Sequence, residues 1–198
     1  MTRTPLDRVL DTSLIVAPVI YLIADVLYAT RGWDDPAAAV CHVLGAIGYT
    51  VVLLRLVTLG SGYLAAVLLV AGAVGAAGNV AYGFNTIHVS LGDTDLVDAT
   101  GVASLIKPLG LFFPLTLLLG AVVLRGIGPS WVAPVVAVAG LVWPVAHIAN
   151  LGWLAVVVNV ALVAGFGAVA VARQPVTTGT GWLLTGRPRR GRPVPGGR

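Results

Sequence analysis

Glutamate is absent from this chain of 198 residues, and lysine, cysteine and methionine occur once each. A single cysteine, Cys41, excludes an intramolecular disulfide and a thiolate metal cluster built within one chain. Without glutamate there is no H-E-x-x-H zinc helix and no terminal carboxylate for an EF-hand loop. Neither a G-x-S-x-G elbow nor a Walker or Rossmann glycine loop is present, since the glycine clusters lie inside apolar runs. Charge is scarce as well: charged residues make up 10% of the chain, against about 25% in an ordinary soluble domain.

What fills the chain is hydrocarbon. The hydrophobic fraction is 58% and the mean hydropathy +0.95, more apolar surface than a soluble domain of this length can bury. Six apolar stretches are expected to cross a bilayer: Leu14 to Ala29, Ala37 to Thr58, Tyr63 to Phe84, Leu105 to Leu124, Trp131 to Ala149 and Trp153 to Ala172. Each is near the ~20 residues a helix needs to span a ~30 Å core. Period-2 alternation is lacking, so helices rather than barrel strands satisfy the backbone in lipid. The run from Trp131 to Ala172 would be about 63 Å long as one helix and must fold back, at Asn150, Leu151 and Gly152. The expected fold class is therefore an all-α polytopic bundle of six transmembrane helices over residues 1–173. Residues 174–198 are expected to form a disordered, basic cytoplasmic tail.

Threading these stretches from an inside N-terminus sorts the charges. Ten of the twelve cationic residues then fall on one side: Arg3, Arg8, Arg55, Arg125, Arg173, Arg187, Arg189, Arg190, Arg192 and Arg198. Cationic loops are retained in the cytoplasm, so both termini are expected there, in the inner (plasma) membrane of a bacterial cell. The first stretch also resembles a secretory signal, but Asp25 interrupts it and an uncleaved anchor is expected. A pI near 9.7 would ordinarily suggest nucleic acid. Here the basic residues sit at helix ends and in the tail, where anionic lipid accounts for them, and no nucleic-acid partner is expected. Trp182 with Arg187, Arg189, Arg190 and Arg192 reads as an anchor to anionic headgroups.

Asp25, His42, Asn79, Lys107, His147 and Asn159 all fall on the outer side of their span midpoints, and no comparable set is expected in the inner half. Ionisable groups inside a span cost at least ~2.5 kcal/mol at the centre unless they face a partner or a wet cavity, so a shared polar pocket opening outward is expected. Asp25 is either a proton or cation site or the ion-pair partner of Lys107. Lys107 could equally snorkel from its helix start to the headgroups. Asn79, Asn150 and Asn159 suit hydrogen bonds between helices. The outer connection, Asn85 to Ser104, carries His88, Asp93, Asp95 and Asp98 and is expected as a solvated acidic loop over the bundle. No bound metal and no cofactor are expected, because no helix carries paired histidines. Gly72, Gly75 and Gly78 make the third stretch thin, which places it at the bundle centre.

The functional expectation is a non-enzymatic integral membrane protein whose pocket binds a small molecule, a lipid or a partner subunit, including a second copy of itself. The alternatives are a small transporter or ion-coupled permease working through Asp25, and a membrane-embedded enzyme, whether hydrolase, cyclase or metal or haem redox protein, using Asp25 with the histidines.

Overall fold

The computed structural model describes residues 3–98 and 100–173. The described residues are 84% helix, with no strand among them. The elements are α1 (Pro5–Arg31), α2 (Pro36–Leu59), α3 (Gly62–Ser90), α4 (Phe112–Val123), α5 (Val132–Ile148) and α6 (Gly152–Ala172). Two 3-10 segments, Leu96–Asp98 and Gly101–Leu111, lead from α3 into α4. Four helices, α1, α2, α3 and α6, are long and apolar enough to cross a membrane. The tail, with Trp182, Arg187, Arg189, Arg190 and Arg192, lies outside the described residues.

Local chemistry sets several of the boundaries. Thr4 and Asp7 form a reciprocal cap on α1: Asp7 N–H donates to Thr4 Oγ1 at 3.1 Å, and Thr4 N–H donates to Asp7 Oδ2 at 3.2 Å, with Pro5 just inside. Asp35 Oδ1 accepts from Ala38 N–H at 2.8 Å and starts α2, again with a proline next. The turn between α5 and α6 falls where expected, with Asn150 at a φ of 55°, a conformation asparagine tolerates better than most residues.

Each helix packs on the next in sequence, and α6 packs back on α1, so the six close a ring of neighbours. The connections between α1 and α2, α2 and α3, and α5 and α6 are only a few residues long, which makes these pairs antiparallel. Two ends result, the Trp33 end and the Arg55 end. Leu14, Tyr21, Leu56, Leu68, Leu117, Leu162 and Phe166 fill the interior. The outside is also apolar, with Ile15, Val19, Ile23, Leu44, Ile47, Val70, Leu141 and Val157 exposed. Exposed hydrocarbon on every side, with the polar side chains turned inward, is the arrangement a lipid solvent selects.

The fourth stretch departs from expectation. It starts not as α-helix but as the 3-10 run Gly101–Leu111, in which Pro108 supplies no N–H. Long 3-10 runs are uncommon and need support from their surroundings. Here that support is α3, whose glycines give it room: a Cβ at Gly78 would lie 2.6 Å from the Leu109 carbonyl carbon, and one at Gly75 2.5 Å from the Phe113 backbone nitrogen. The glycines of α3 thus serve a close crossing with the start of α4. They do not mark a central helix, because α3 sits in the ring with Tyr63, Val67, Val70 and Phe84 on its open face. It also runs past Phe84 to Ser90, so the outer connection is shorter than the sequence suggested.

Candidate functional site

A cavity of about 630 Å³ opens at the Trp33 end between α3, the 3-10 run, α5 and the α1–α2 turn. Its wall includes Trp33, Asp34, Asn79, Tyr82, Asp95, Lys107, Trp143 and His147. Three of the six pocket candidates, Asn79, Lys107 and His147, therefore line one recess. Lys107 is exposed on its rim, while Asn79 and His147 are buried in its wall.

Asp25 and Asn159 lie behind that wall, both fully buried. His147 Nε2 stands 3.4 Å from Asp25 Oδ1, and the Asn159 side-chain amide donates to Asp25 Oδ2. The partners of Asp25 thus come from α5 and α6, and the ion pair with Lys107 does not form. The reason is position: Asp25 is on α1, which borders α2 and α6, whereas Lys107 belongs to the 3-10 run, which packs on α3 and α4.

His42 joins a neighbouring network. Tyr21 Oη is 3.0 Å from His42 Nε2 and donates to Asn79 Oδ1 at 3.3 Å. The Tyr21 ring also packs on His42, Tyr49, Phe113 and His147, with centroids 4.6, 5.6, 5.8 and 6.2 Å away. Trp143 stacks on His147 at 4.0 Å, and Tyr28 stacks on Trp33 at 4.8 Å. Nothing in the apolar periodicity singled out Tyr21, Trp33 or Trp143. Tyrosine and tryptophan deep within an apolar run, each with a polar atom to satisfy, were the available signal. Several buried polar atoms have no hydrogen-bond partner among the described residues, namely Trp143 Nε1, Asn79 Nδ2, Asn159 Oδ1 and His42 Nδ1. Orphaned polar atoms inside a fold call for water or a ligand.

The connection from α3 to α4 folds onto the recess through Asn85, another residue the sequence did not single out. Its side-chain nitrogen donates to Asp95 Oδ1 at 2.9 Å, and its oxygen accepts from Leu96 N–H at 2.9 Å. Asp95 thereby becomes part of the wall. His88 and Asp93 form an exposed pair at 2.9 Å, away from the recess lining, and Asp98 lies in the 3-10 segment Leu96–Asp98. Trp33 Nε1–H donates to the Asn150 carbonyl at 3.0 Å, which ties the α1–α2 turn to the α5–α6 turn beside the opening. The hydroxyls of Ser90 and Ser104 donate to the Ile87 and Gly101 carbonyls at 2.6 and 2.7 Å. Among the described residues, no three His, Cys, Asp or Glu side chains converge as metal ligands would.

The opposite end corrects one expectation outright, because it does hold a polar cluster. Asp11 and Arg55 are nearly buried, with 6% and 4% exposure, and Arg55 donates to Asp11 Oδ1 through Nε at 2.8 Å and through a second guanidinium nitrogen. Arg3 and Arg173 approach the same carboxylate at 3.3 and 3.4 Å, and Asp7 sits 3.4 Å from Arg55. One carboxylate thus fastens the chain start, the end of α2 and the end of α6. Asp11 was missed because α1 begins nine residues before the apolar stretch does.

No family model, curated protein or solved structure matches this chain. The chain is an all-helical protein with four helices long and apolar enough to cross a membrane and a polar recess at one end.

Proposed function

We propose that the chain crosses the inner membrane six times with both termini in the cytoplasm, and that it is a non-enzymatic protein whose recess at the outer end binds a small amphipathic molecule. The topology draws on the cationic sorting of the sequence. It draws also on length, since Lys107–Leu111 at about 2.0 Å per residue and α4 at about 1.5 Å per residue together reach roughly 28 Å, close to the hydrocarbon thickness. Exposed aromatic residues stand near both ends, Tyr63 and Trp131 on one side and Trp153 on the other, as interface anchors do.

The observation that carries the binding reading is the wall of the recess. Trp33, Tyr82 and Trp143 offer apolar faces, while Asn79, Asp34, Asp95 and Lys107 offer polar contacts, the mixture that small-molecule sites use.

Native mass spectrometry of the full chain released from gentle detergent tests binding. A co-purifying molecule is expected on the wild type and absent from Thr86→Trp, which fills the recess from α3. Equal spectra for the two proteins would end the binding reading. Topology is tested separately with a membrane-impermeant maleimide on intact cells, in a Cys41→Ala background. Thr94→Cys is expected to label and Ser130→Cys to remain unlabelled until the cells are opened; the reverse pattern overturns the orientation.

A further inference from the structure

The contact between His147 and Asp25 has a proton deficit that its geometry makes explicit. His147 Nδ1 lies 3.0 Å from the Trp143 carbonyl oxygen. A carbonyl only accepts, so Nδ1 carries hydrogen. In a neutral imidazole the other nitrogen, Nε2, is then a bare lone pair, and Nε2 is the atom that faces Asp25 Oδ1 at 3.4 Å. Two acceptors confront each other with no room for a third atom. The far oxygen, Asp25 Oδ2, is occupied by the Asn159 amide, whose nitrogen also lies 3.4 Å from the Ala155 carbonyl; both neighbours are acceptors, which orients that amide with its NH₂ toward the carboxylate.

Without an added proton, the pair would be a buried carboxylate facing a lone pair, one uncompensated negative charge in a site where Asp25 and Asn159 are fully buried. One proton resolves both faults. It makes either a carboxylic acid donating to Nε2 or an imidazolium donating to the carboxylate, and in each case the pair is neutral overall. We propose that Asp25 and His147 form a proton-binding site that holds one exchangeable proton and meets solvent through the recess wall, of which His147 is part. Uptake takes the proton from water in the recess and breaks no bond in the protein. The inference goes beyond ligand binding and does not depend on it.

The surroundings tune this site from every side. Tyr21 and Tyr28 face it from α1, His42 and Tyr49 from α2, and Tyr82 from α3. The recess adds Asp34, Asp95 and Lys107, and α6 contributes the uncharged Asn159.

Two measurements test the site. Nitrogen-15 NMR of histidine-labelled full-length protein in micelles, with the His147 signal assigned by its loss in His147→Gln, is expected to show Nδ1 protonated at every pH, and Nε2 hydrogen-bonded rather than carrying the sole proton of a neutral ring. A neutral His147 with its hydrogen on Nε2 and a bare Nδ1 would overturn the proposal, and this result needs no substitution at Asp25. The second is a pH titration of tryptophan emission, because His147 stacks on Trp143 and protonated imidazole quenches indole. Asp25→Asn places an amide N–H where the proton would sit, so the part of the titration due to His147 is expected to be lost in Asp25→Asn as it is in His147→Gln. An unchanged titration in both variants excludes the imidazolium form and leaves the acid form, which the NMR measurement refutes if Nε2 is not hydrogen-bonded. Loss of the co-purifying molecule in Thr86→Trp with the titration retained would separate the two readings.

Discussion

The close crossing of α3 over the start of α4 makes a quantitative prediction about single methyl groups. In Gly75→Ala the new Cβ would lie 2.5 Å from Phe113 N, 2.7 Å from the Phe112 carbonyl carbon and 2.8 Å from Phe113 Cα. All three are backbone atoms, so no side chain can turn aside; the first turn of α4 must move by more than half an ångström, and it is wedged between α3 and α5. In Gly72→Ala the nearest atoms are the Cδ and Cγ atoms of Leu53, a side chain that can change rotamer. Gly167 has nothing within 4 Å of its virtual Cβ and serves as the control. Replacing a helical glycine by alanine gains up to about 1 kcal/mol from backbone entropy, and overpacking costs about 1–3 kcal/mol. The net expectation is a loss of roughly 1–2 kcal/mol for Gly75→Ala, a smaller change for Gly72→Ala and a slight gain for Gly167→Ala. For a chain of this size that loss corresponds to a drop of about 2–8 °C in midpoint. Thermal unfolding of the three variants in one detergent, followed by circular dichroism, provides the ranking. Equal midpoints for Gly75→Ala and Gly167→Ala would refute the claim that backbone crosses backbone at this point.

Other consequences concern the ionic cluster and the cap. Asp11→Ala strands Arg3, Arg55 and Arg173 around a nearly buried site with only Asp7 to balance them, so a loss of about 3–5 kcal/mol is expected in denaturant unfolding. Arg55→Ala should cost less, since Arg3 and Arg173 still reach Asp11; the reverse order would show that the carboxylate is not the hub. Hydrogen bonds from the Thr4 side chain and backbone, with Arg55 nearby, hold the Asp7 carboxyl below the ordinary carboxylate value. A lowered folded value contributes stability that is present above the unfolded value and lost as pH falls through the folded one. Acid unfolding of Thr4→Ala should accordingly begin at higher pH than that of the wild type, and superimposable acid transitions would remove Asp7 from the account. Trp33→Phe keeps the stacking on Tyr28 but deletes the donor to the Asn150 carbonyl, so faster amide exchange is expected in the α5–α6 turn, with exchange unchanged at the Arg55 end.

The amino-acid sequence by itself determined the class of protein, the positions of most helices and the inventory of polar groups. Apolar runs of bilayer length admit helices, short polar breaks between them force reversals, and the turn at Asn150 was legible because an uninterrupted helix there would be twice too long. That Asn79, Lys107 and His147 need a polar partner or a hydrated surface was legible, because a polar side chain in hydrocarbon must face something. Pairing was not legible. In a soluble helix the polar face reveals which side packs inward, but here lipid and core are both apolar, so α1 to α6 are hydrophobic nearly all round and their rotations leave little trace in the pattern. Only the closing of the ring, with α6 against α1, put Asn159 and His147 rather than Lys107 beside Asp25, and brought the ends of α2 and α6 to the one carboxylate of Asp11. Those contacts join residues 134, 122, 44 and 162 positions apart in the chain, and at such separations it is packing geometry, not local preference, that selects the partner.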